Sequence, residues 1–277
     1  MRIIKARDIS RVVSELAQEA NFVLRKDVWA ALKEALRKET NQRARSLWKA
    51  IIENATLAKN QKLAICQDTG LPIVFVELGQ DVKIEGNLKV AIIKGIAAGY
   101  KKGYLRNSIV AHPLKRGRPC YRPPIIHIDI IKGTRLKLTV LPKGFGCENK
   151  SKLKMFEPTA DTKEIKQFIL DSVKEAGPDA CPPFIVGVGI GGTADYAMLL
   201  AKKALLQPIR RSQALASKRL EKELLRQINQ LNIGPMGLGG RTTCLGVNIE
   251  TYPTHIAGLP VAVNISCHAL RSASKII

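Results

Sequence analysis

The chain has 277 residues, 45% of them hydrophobic, which suits one large domain or two small ones with a sizeable core. Lys+Arg 45 against Asp+Glu 23 gives a net charge of +22 and a pI of about 10.0, yet only "PLKRGRPCYR" (113–122) is a tight basic cluster and aromatics make up 5%, so steering of anionic substrates or docking of an acidic subunit accounts for the charge better than nucleic acid. No apolar run reaches membrane-spanning length and "MRIIKARDIS" has no signal-peptide apolar region, so a cytoplasmic protein without a membrane partner is expected.

Residues 1–62 read as mainly helical and 63–277 as mixed α/β, together one α/β unit with a helical N-terminal layer. Ile9, Val12, Val13, Leu16, Ala20 and Val23 keep the spacing of one helical face. Val28, Trp29, Ala31, Leu32, Ala35 and Leu36 repeat it, as do Leu47, Trp48, Ile51, Ile52 and Ala55. A strand is expected over 72–78 and a helix over about 88–101. Two antiparallel strands, "IIHIDII" (125–131) and "RLKLTVL" (135–141), are joined by "KGT". A helix over about 162–175 starts after Asp161, a plausible cap. The strand "FIVGVGI" follows, then helices over about 194–206 and 217–231. Two strand-like runs, "CLGVNIE" and "PVAVNIS", close the pattern.

The chemistry is expected at the breaks between apolar runs. Six cysteines, at 66, 120, 147, 181, 244 and 267, are widely spaced, which argues against a disulfide framework and for buried thiols or metal ligands. Cys66, Cys181 and Cys267 sit at strand edges beside turns, where ligands are placed more readily than inside a strand or helix. No C-x2-C spacing exists, so zinc fingers and bacterial-type ferredoxin runs are excluded. "GVGIGG" is not G-x-G-x-x-G, and it reads as a tight strand-to-helix turn rather than a dinucleotide site. His255 lies in a loop and is either solvated or part of a pocket, whereas His127, flanked by isoleucines, reads as structural. Arg106 follows a helix and a glycine; it is either a surface residue or a fork that clamps a carboxylate.

Six segments in order, "CQDTG", "GYLRNSIV", "PIIHIDI", "LPKGFGCENKSKLKM", "ACPPFIVGVGIGGTADYAMLLAKKAL" and "GPMGLGGRTTCLGVNIETYPTHIAGLPVAVNISCHALR", resemble the alpha part of the class I, iron–sulfur fumarate hydratases and L-tartrate dehydratases. The resemblance spans roughly the whole chain and is strongest from Cys66 onward. It implies a [4Fe-4S] cluster held by Cys66, Cys181 and Cys267, which leaves one iron open as a Lewis acid. It also implies that Gln67, Arg106 and Gly146 bind substrate, while Asp68 and His255 act in catalysis. Cys147 stands where the family has serine, and neither it, Cys120 nor Cys244 is assigned to the cluster.

The resemblance further implies a second region with arginines, a lysine and a hydroxyl residue to complete the pocket. Only ten residues follow Cys267, so a separate beta subunit in an α2β2 heteromer is expected to supply it. The implied reaction is reversible hydration of fumarate to (S)-malate, with L-tartrate dehydration as the alternative. A basic nucleic-acid-binding module and an electron carrier are the rival readings from other classes.

Overall fold

The computed structural model describes residues 2–209 and 215–277. In chain order the first half holds β1 (Arg2–Lys5), α1 (Ala6–Phe22), α2 (Lys26–Lys38), α3 (Gln42–Gln61), β2 (Leu71–Gly79), β3 (Val82–Glu85), α4 (Leu88–Lys102), β4 (Ile125–Ile131) and β5 (Leu136–Lys143). The second half holds α5 (Phe145–Glu148), β6 (Lys152–Phe156), α6 (Thr162–Ala176), β7 (Phe184–Gly192), α7 (Ala194–Leu206), α8 (Leu215–Asn229), β8 (Cys244–Thr254), β9 (Leu259–Ser266) and β10 (Ala273–Ile276). The expected mixed α/β class with N-terminal helices is what the chain adopts.

The described residues group into two compact units. The first contains the residues up to Arg25, Asn54–Phe145 and Arg271–Ile277; the second contains Lys26–Glu53 and Gly146–Leu270. The helical layer expected over 1–62 is therefore shared: α1 belongs to the first unit, α2 to the second, and α3 runs from the second into the first.

In the first unit a sheet of order β10-β5-β2-β4 packs against α1, and α4 packs against α1. The apolar stripe of α1, from Ile9 to Ala20, is buried with Ile92 and Ile96 of α4 and with Leu136, Leu138 and Val140 of β5. The two helices pack closely because α4 places glycine at the crossing: a Cβ on Gly99 would lie 2.7 Å from the Ser14 carbonyl oxygen. The strands joined by "KGT" do run antiparallel to each other, but they are not partners. β2 lies between them, parallel to β4 and antiparallel to β5. β5 is buried and takes the centre of the sheet, whereas β4, with exposed Ile125, Ile128 and Ile130, takes an edge.

In the second unit the sheet runs β6-β9-β7-β8, with β7 parallel to β8 and antiparallel to β9. Isoleucines 165 and 169 of α6 and Leu224 and Ile228 of α8 bury their apolar faces with these strands. Asp161 caps α6 as expected, accepting from Lys163 N and Glu164 N, while the Glu164 carboxylate accepts from Asp161 N to complete a capping box. The glycines of "GVGIGG" serve packing: Cβ atoms on Gly187 and Gly189 would each lie 2.1 Å from a carbonyl oxygen of α7, so only glycine lets that helix settle on β7. No described helix is long and apolar enough to cross a membrane.

Candidate active site

In the first unit the chain turns at Cys66–Gly70 before entering β2. Gly70 has φ +73, and a Cβ there would lie 2.7 Å from Pro142 C and 2.8 Å from Lys143 N, so only glycine lets this turn pass against the end of β5. Asp68 ties the two segments together. Its Oδ1 accepts from Gly70 N at 2.9 Å and its Oδ2 from Phe145 N at 2.8 Å. The Asp68 carbonyl accepts from the Arg271 guanidinium at 2.8 Å, and the same guanidinium donates to Asn21 Oδ1 at 3.3 Å. Arg271 is only 3% exposed, and its Nε has no hydrogen-bond partner among the described residues.

Thr69 and Tyr100 brace the same turn. The Thr69 hydroxyl donates to the Arg106 carbonyl at 3.1 Å, and Tyr100 donates to the Thr69 and Gly70 carbonyls at 2.8 and 3.3 Å. Burial pushes the Tyr100 phenol well above its usual value, so it stays a neutral donor. Arg106 is thereby fixed through its backbone while its side chain is exposed and has no partner among the described residues. Asp68, Arg106, Asn107, Ser108, Arg116 and Phe145 are among the residues that line one cavity of about 480 Å³. Two guanidiniums and one carboxylate around such a cavity suit an anionic ligand that also carries a hydroxyl. Cys66 and Gln67 precede Asp68 in the turn, and the Cys66 thiol donates to Gln67 Oε1 at 3.4 Å.

In the second unit Cys181 follows a 3-10 turn, Pro178–Ala180, and takes a left-handed backbone with its side chain exposed. The His268 ring Nδ1 lies 3.2 Å from the Cys181 carbonyl, which brings the segment of Cys267 beside that of Cys181. Helix α5 lies against the Cys181 segment: a Cβ on Gly146 would lie 3.6 Å from Asp179 O, and the Cys147 thiol donates to the Ala180 carbonyl at 3.2 Å. Glu148 anchors α5 further, pairing with Lys202 and accepting from Asn264 at 3.0 Å.

The first unit thus gathers Asp68 and Arg106, with Cys66 and Gln67 in the same turn, and the second gathers Gly146, Cys181 and Cys267. His255 is placed elsewhere. It follows β8, whose Thr254 is in register with Gly192 at the far end of β7, whereas Cys267 follows Ser266, in register with Ile185 at the near end. At about 3.3 Å per residue, roughly 20–25 Å of strand separates His255 from the two thiols. Its ring Nδ1 accepts from Ala257 N at 3.2 Å and the residue is exposed.

The thiols differ in exposure, and Cys120 is half-buried like Cys66 and Cys267. Cys181 is exposed and Cys66 and Cys267 are half-buried, each in a loop. Cys244 is sealed inside β8, where burial pushes its thiol up to about 12, and Cys147 is buried. Among the described residues no three His, Cys, Asp or Glu side chains form a ready-made metal site. Cysteine thiolates in accessible loops are the ligand type that an iron–sulfur cluster takes. Arg271 is the residue that reading the sequence missed; it stands in "SCHALR", but its partners are distant in the chain.

The sequence model described as "Fumarate hydratase (Fumerase)" matches residues 10–275. A protein of Methanocaldococcus jannaschii, provisionally named L(+)-tartrate dehydratase subunit alpha, is 44% identical over 280 residues, covering 96% of this chain and 96% of that relative. The L(+)-tartrate dehydratase subunit alpha of Escherichia coli O157:H7 is 27% identical, covering 97% of this chain and 90% of its own length. That of Escherichia coli strain K12 is likewise 27% identical with the same coverage.

Proposed function

The chain belongs to the fumarate hydratase (Fumerase) family, and on that premise we propose that it is the alpha subunit of a cytoplasmic iron–sulfur hydro-lyase that dehydrates L-tartrate. The observation that carries the choice of substrate is the 44% identity, over nearly the full length of both chains, to a relative named for L(+)-tartrate dehydration. Fumarate and (S)-malate, which the sequence reading put first, are the second reading, supported by the name of the family. Both reactions exchange water across a carbon pair flanked by two carboxylates. The same cavity chemistry therefore serves either, and the additional hydroxyl of tartrate decides between them.

In this reading Cys66, Cys181 and Cys267 hold a [4Fe-4S] cluster, and the accessibility of these thiols against the sealed Cys244 supports the choice. The bound cluster supplies a Lewis acid that helps the substrate hydroxyl leave. Arg106 presents an exposed guanidinium at the cavity and pairs with one substrate carboxylate through its two parallel N–H groups. Asp68 lines the same cavity and holds or moves the proton, while Gln67 beside it offers an amide to the substrate. Gly146 exposes its backbone next to the Cys181 segment and serves as a main-chain contact to substrate. His255 enters the reading as a proton carrier, although it lies at the other end of its sheet; unchanged turnover in His255→Asn removes it.

The relatives are named as alpha subunits, which supports a beta subunit that completes the pocket in an α2β2 assembly. The test is anaerobic co-purification with the beta subunit, followed by assay of oxaloacetate formed from L-tartrate and of (S)-malate formed from fumarate. Turnover of L-tartrate in preference to fumarate is expected. A cluster-loaded complex that turns over neither substrate refutes the proposal, and one that hydrates fumarate alone hands it to the second reading.

A further inference from the structure

β4 is an edge strand with an unusual sequence. Among the described residues it pairs with β2 alone, so one row of its backbone N–H and C=O groups lacks a strand partner. Such an edge is ordinarily blunted by lysine, proline or a bulge. Here Ile125 is 47% exposed, Ile128 47% and Ile130 75%. The strand reads Ile-Ile-His-Ile-Asp-Ile-Ile, which is symmetric about Ile128 except that histidine and aspartate exchange places.

We propose that β4 pairs antiparallel with β4 of a second copy of this chain, about a two-fold axis through Ile128, joining two four-stranded sheets into one of eight. In that register Ile125 faces Ile131, Ile126 faces Ile130, and His127 of each copy faces Asp129 of the other. Facing residues have the same parity, so whichever backbone groups point outward meet their own set across the axis. Opposed residues also share a sheet face. Ile126, Ile128 and Ile130, in register with Val74, Val76 and Leu78, therefore carry the apolar face of the first sheet on into the second.

The charges select this register over its neighbours. Moving the axis one residue toward the C-terminus sets Asp129 against Asp129, and moving it one residue toward the N-terminus sets His127 against His127. Only the axis on Ile128 gives complementary pairs, and it gives them twice. Stacking on Phe75, with ring centroids 5.2 Å apart, holds the His127 ring in place. A residue that would guard an edge against other strands thus becomes the recognition element for its own copy.

The experiment is a charge-exchange cycle on the full chain, read by sedimentation equilibrium. His127→Asp gives two Asp–Asp pairs across the axis and Asp129→His two His–His pairs, and each is expected to weaken self-association about tenfold or more. The double exchange re-forms both complementary pairs and is expected to restore association to near wild type. Ile128→Cys places two thiols on the axis, and peptide mapping of the oxidised protein is expected to show residue 128 joined to residue 128. A wild-type chain that stays monomeric at tens of micromolar overturns the proposal, as do single exchanges without effect. Failure of the double exchange to rescue, with association seen only to the beta subunit and weakened by both single exchanges, overturns it in favour of that subunit as the occupant of the edge.

Discussion

Replacing Asp68 by asparagine separates the clamp that this carboxylate forms in the structure from the proton transfer proposed for it. Both of its oxygens accept a backbone N–H, from Gly70 at 2.9 Å and from Phe145 at 2.8 Å. An amide keeps one acceptor and turns the other position into a donor, so one of these N–H groups must face an N–H. Losing one charge-assisted bond in this way costs about 1.5–3 kcal/mol. For a chain of this size that corresponds to a fall in Tm of roughly 3–12 °C. If the carboxylate also moves the substrate proton, kcat falls a further ~10²- to 10⁴-fold while KM changes little. Differential scanning calorimetry and steady-state kinetics of the assembled, cluster-loaded enzyme read the two effects separately. The pH profile distinguishes them again, because loss of a proton-transfer group removes a limb and loss of a clamp does not. An unchanged Tm refutes the clamp, and an unchanged kcat refutes the proton-transfer role.

Arg106→Lys keeps the charge and loses the fork, so it is expected to lower kcat/KM by roughly 30- to 1000-fold, or about 2–4 kcal/mol, with normal iron content; near wild-type kinetics return Arg106 to the solvent. Cys181→Ser is expected to lose iron and visible absorbance on anaerobic reconstitution while Cys244→Ser retains both, because Cys244 is sealed in its strand; full loading of Cys181→Ser removes that residue from the ligand set. Gly70→Ala forces an L side chain into φ +73 with its Cβ 2.7 Å from Pro142 C, so the unfolding free energy from urea titration is expected to fall by more than the ~1–2 kcal/mol of left-handed strain alone; an unchanged free energy refutes the close approach.

What could be read from the sequence follows from the range of the forces involved. Helices α1, α2, α4 and α6 show in the periodicity of their apolar faces, and β2, β7, β8 and β9 in their apolar runs, because burial of one face is a local pattern. The cap at Asp161 is also local. Strand pairing is not: a three-residue link made β4 and β5 look like neighbours, but β2 had already been laid down between them. Short edge strands such as β6, "KLKMF", bury little beyond Phe156, so their alternation of lysine with apolar residues carries a weak signal. Arg271 was hidden for another reason. It acts through Asn21 and Asp68, which lie 250 and 203 residues away, and no spacing rule connects positions so far apart. The positions of Cys181 and Cys267 beside their turns could be read locally, whereas the placement of His255 at the opposite end of the sheet required the register of β7 with β8 and β9.

The motifs "CQDTG" and "LPKGFG" meet in the folded first unit, and their contacts there restrict which residue types fit. Gly70 must lack a Cβ because the Pro142–Lys143 backbone occupies that space. Asp68 must be an acceptor on both oxygens because Gly70 N and Phe145 N converge on it. At Gly144 a Cβ would lie 3.2 Å from Asp68 Oδ2 and crowd the carboxylate that reaches Phe145. Arg271 closes the arrangement from beneath through the Asp68 carbonyl. The acid at the cavity is therefore oriented by three backbone-level fits and a buried guanidinium. In the proton-transfer role proposed for it, such a carboxylate would lose little entropy on reaching a reactive geometry, because the fold has already removed its alternatives. A glutamate at position 68 would keep the charge yet miss at least one of the two N–H groups, so position counts for more here than acidity.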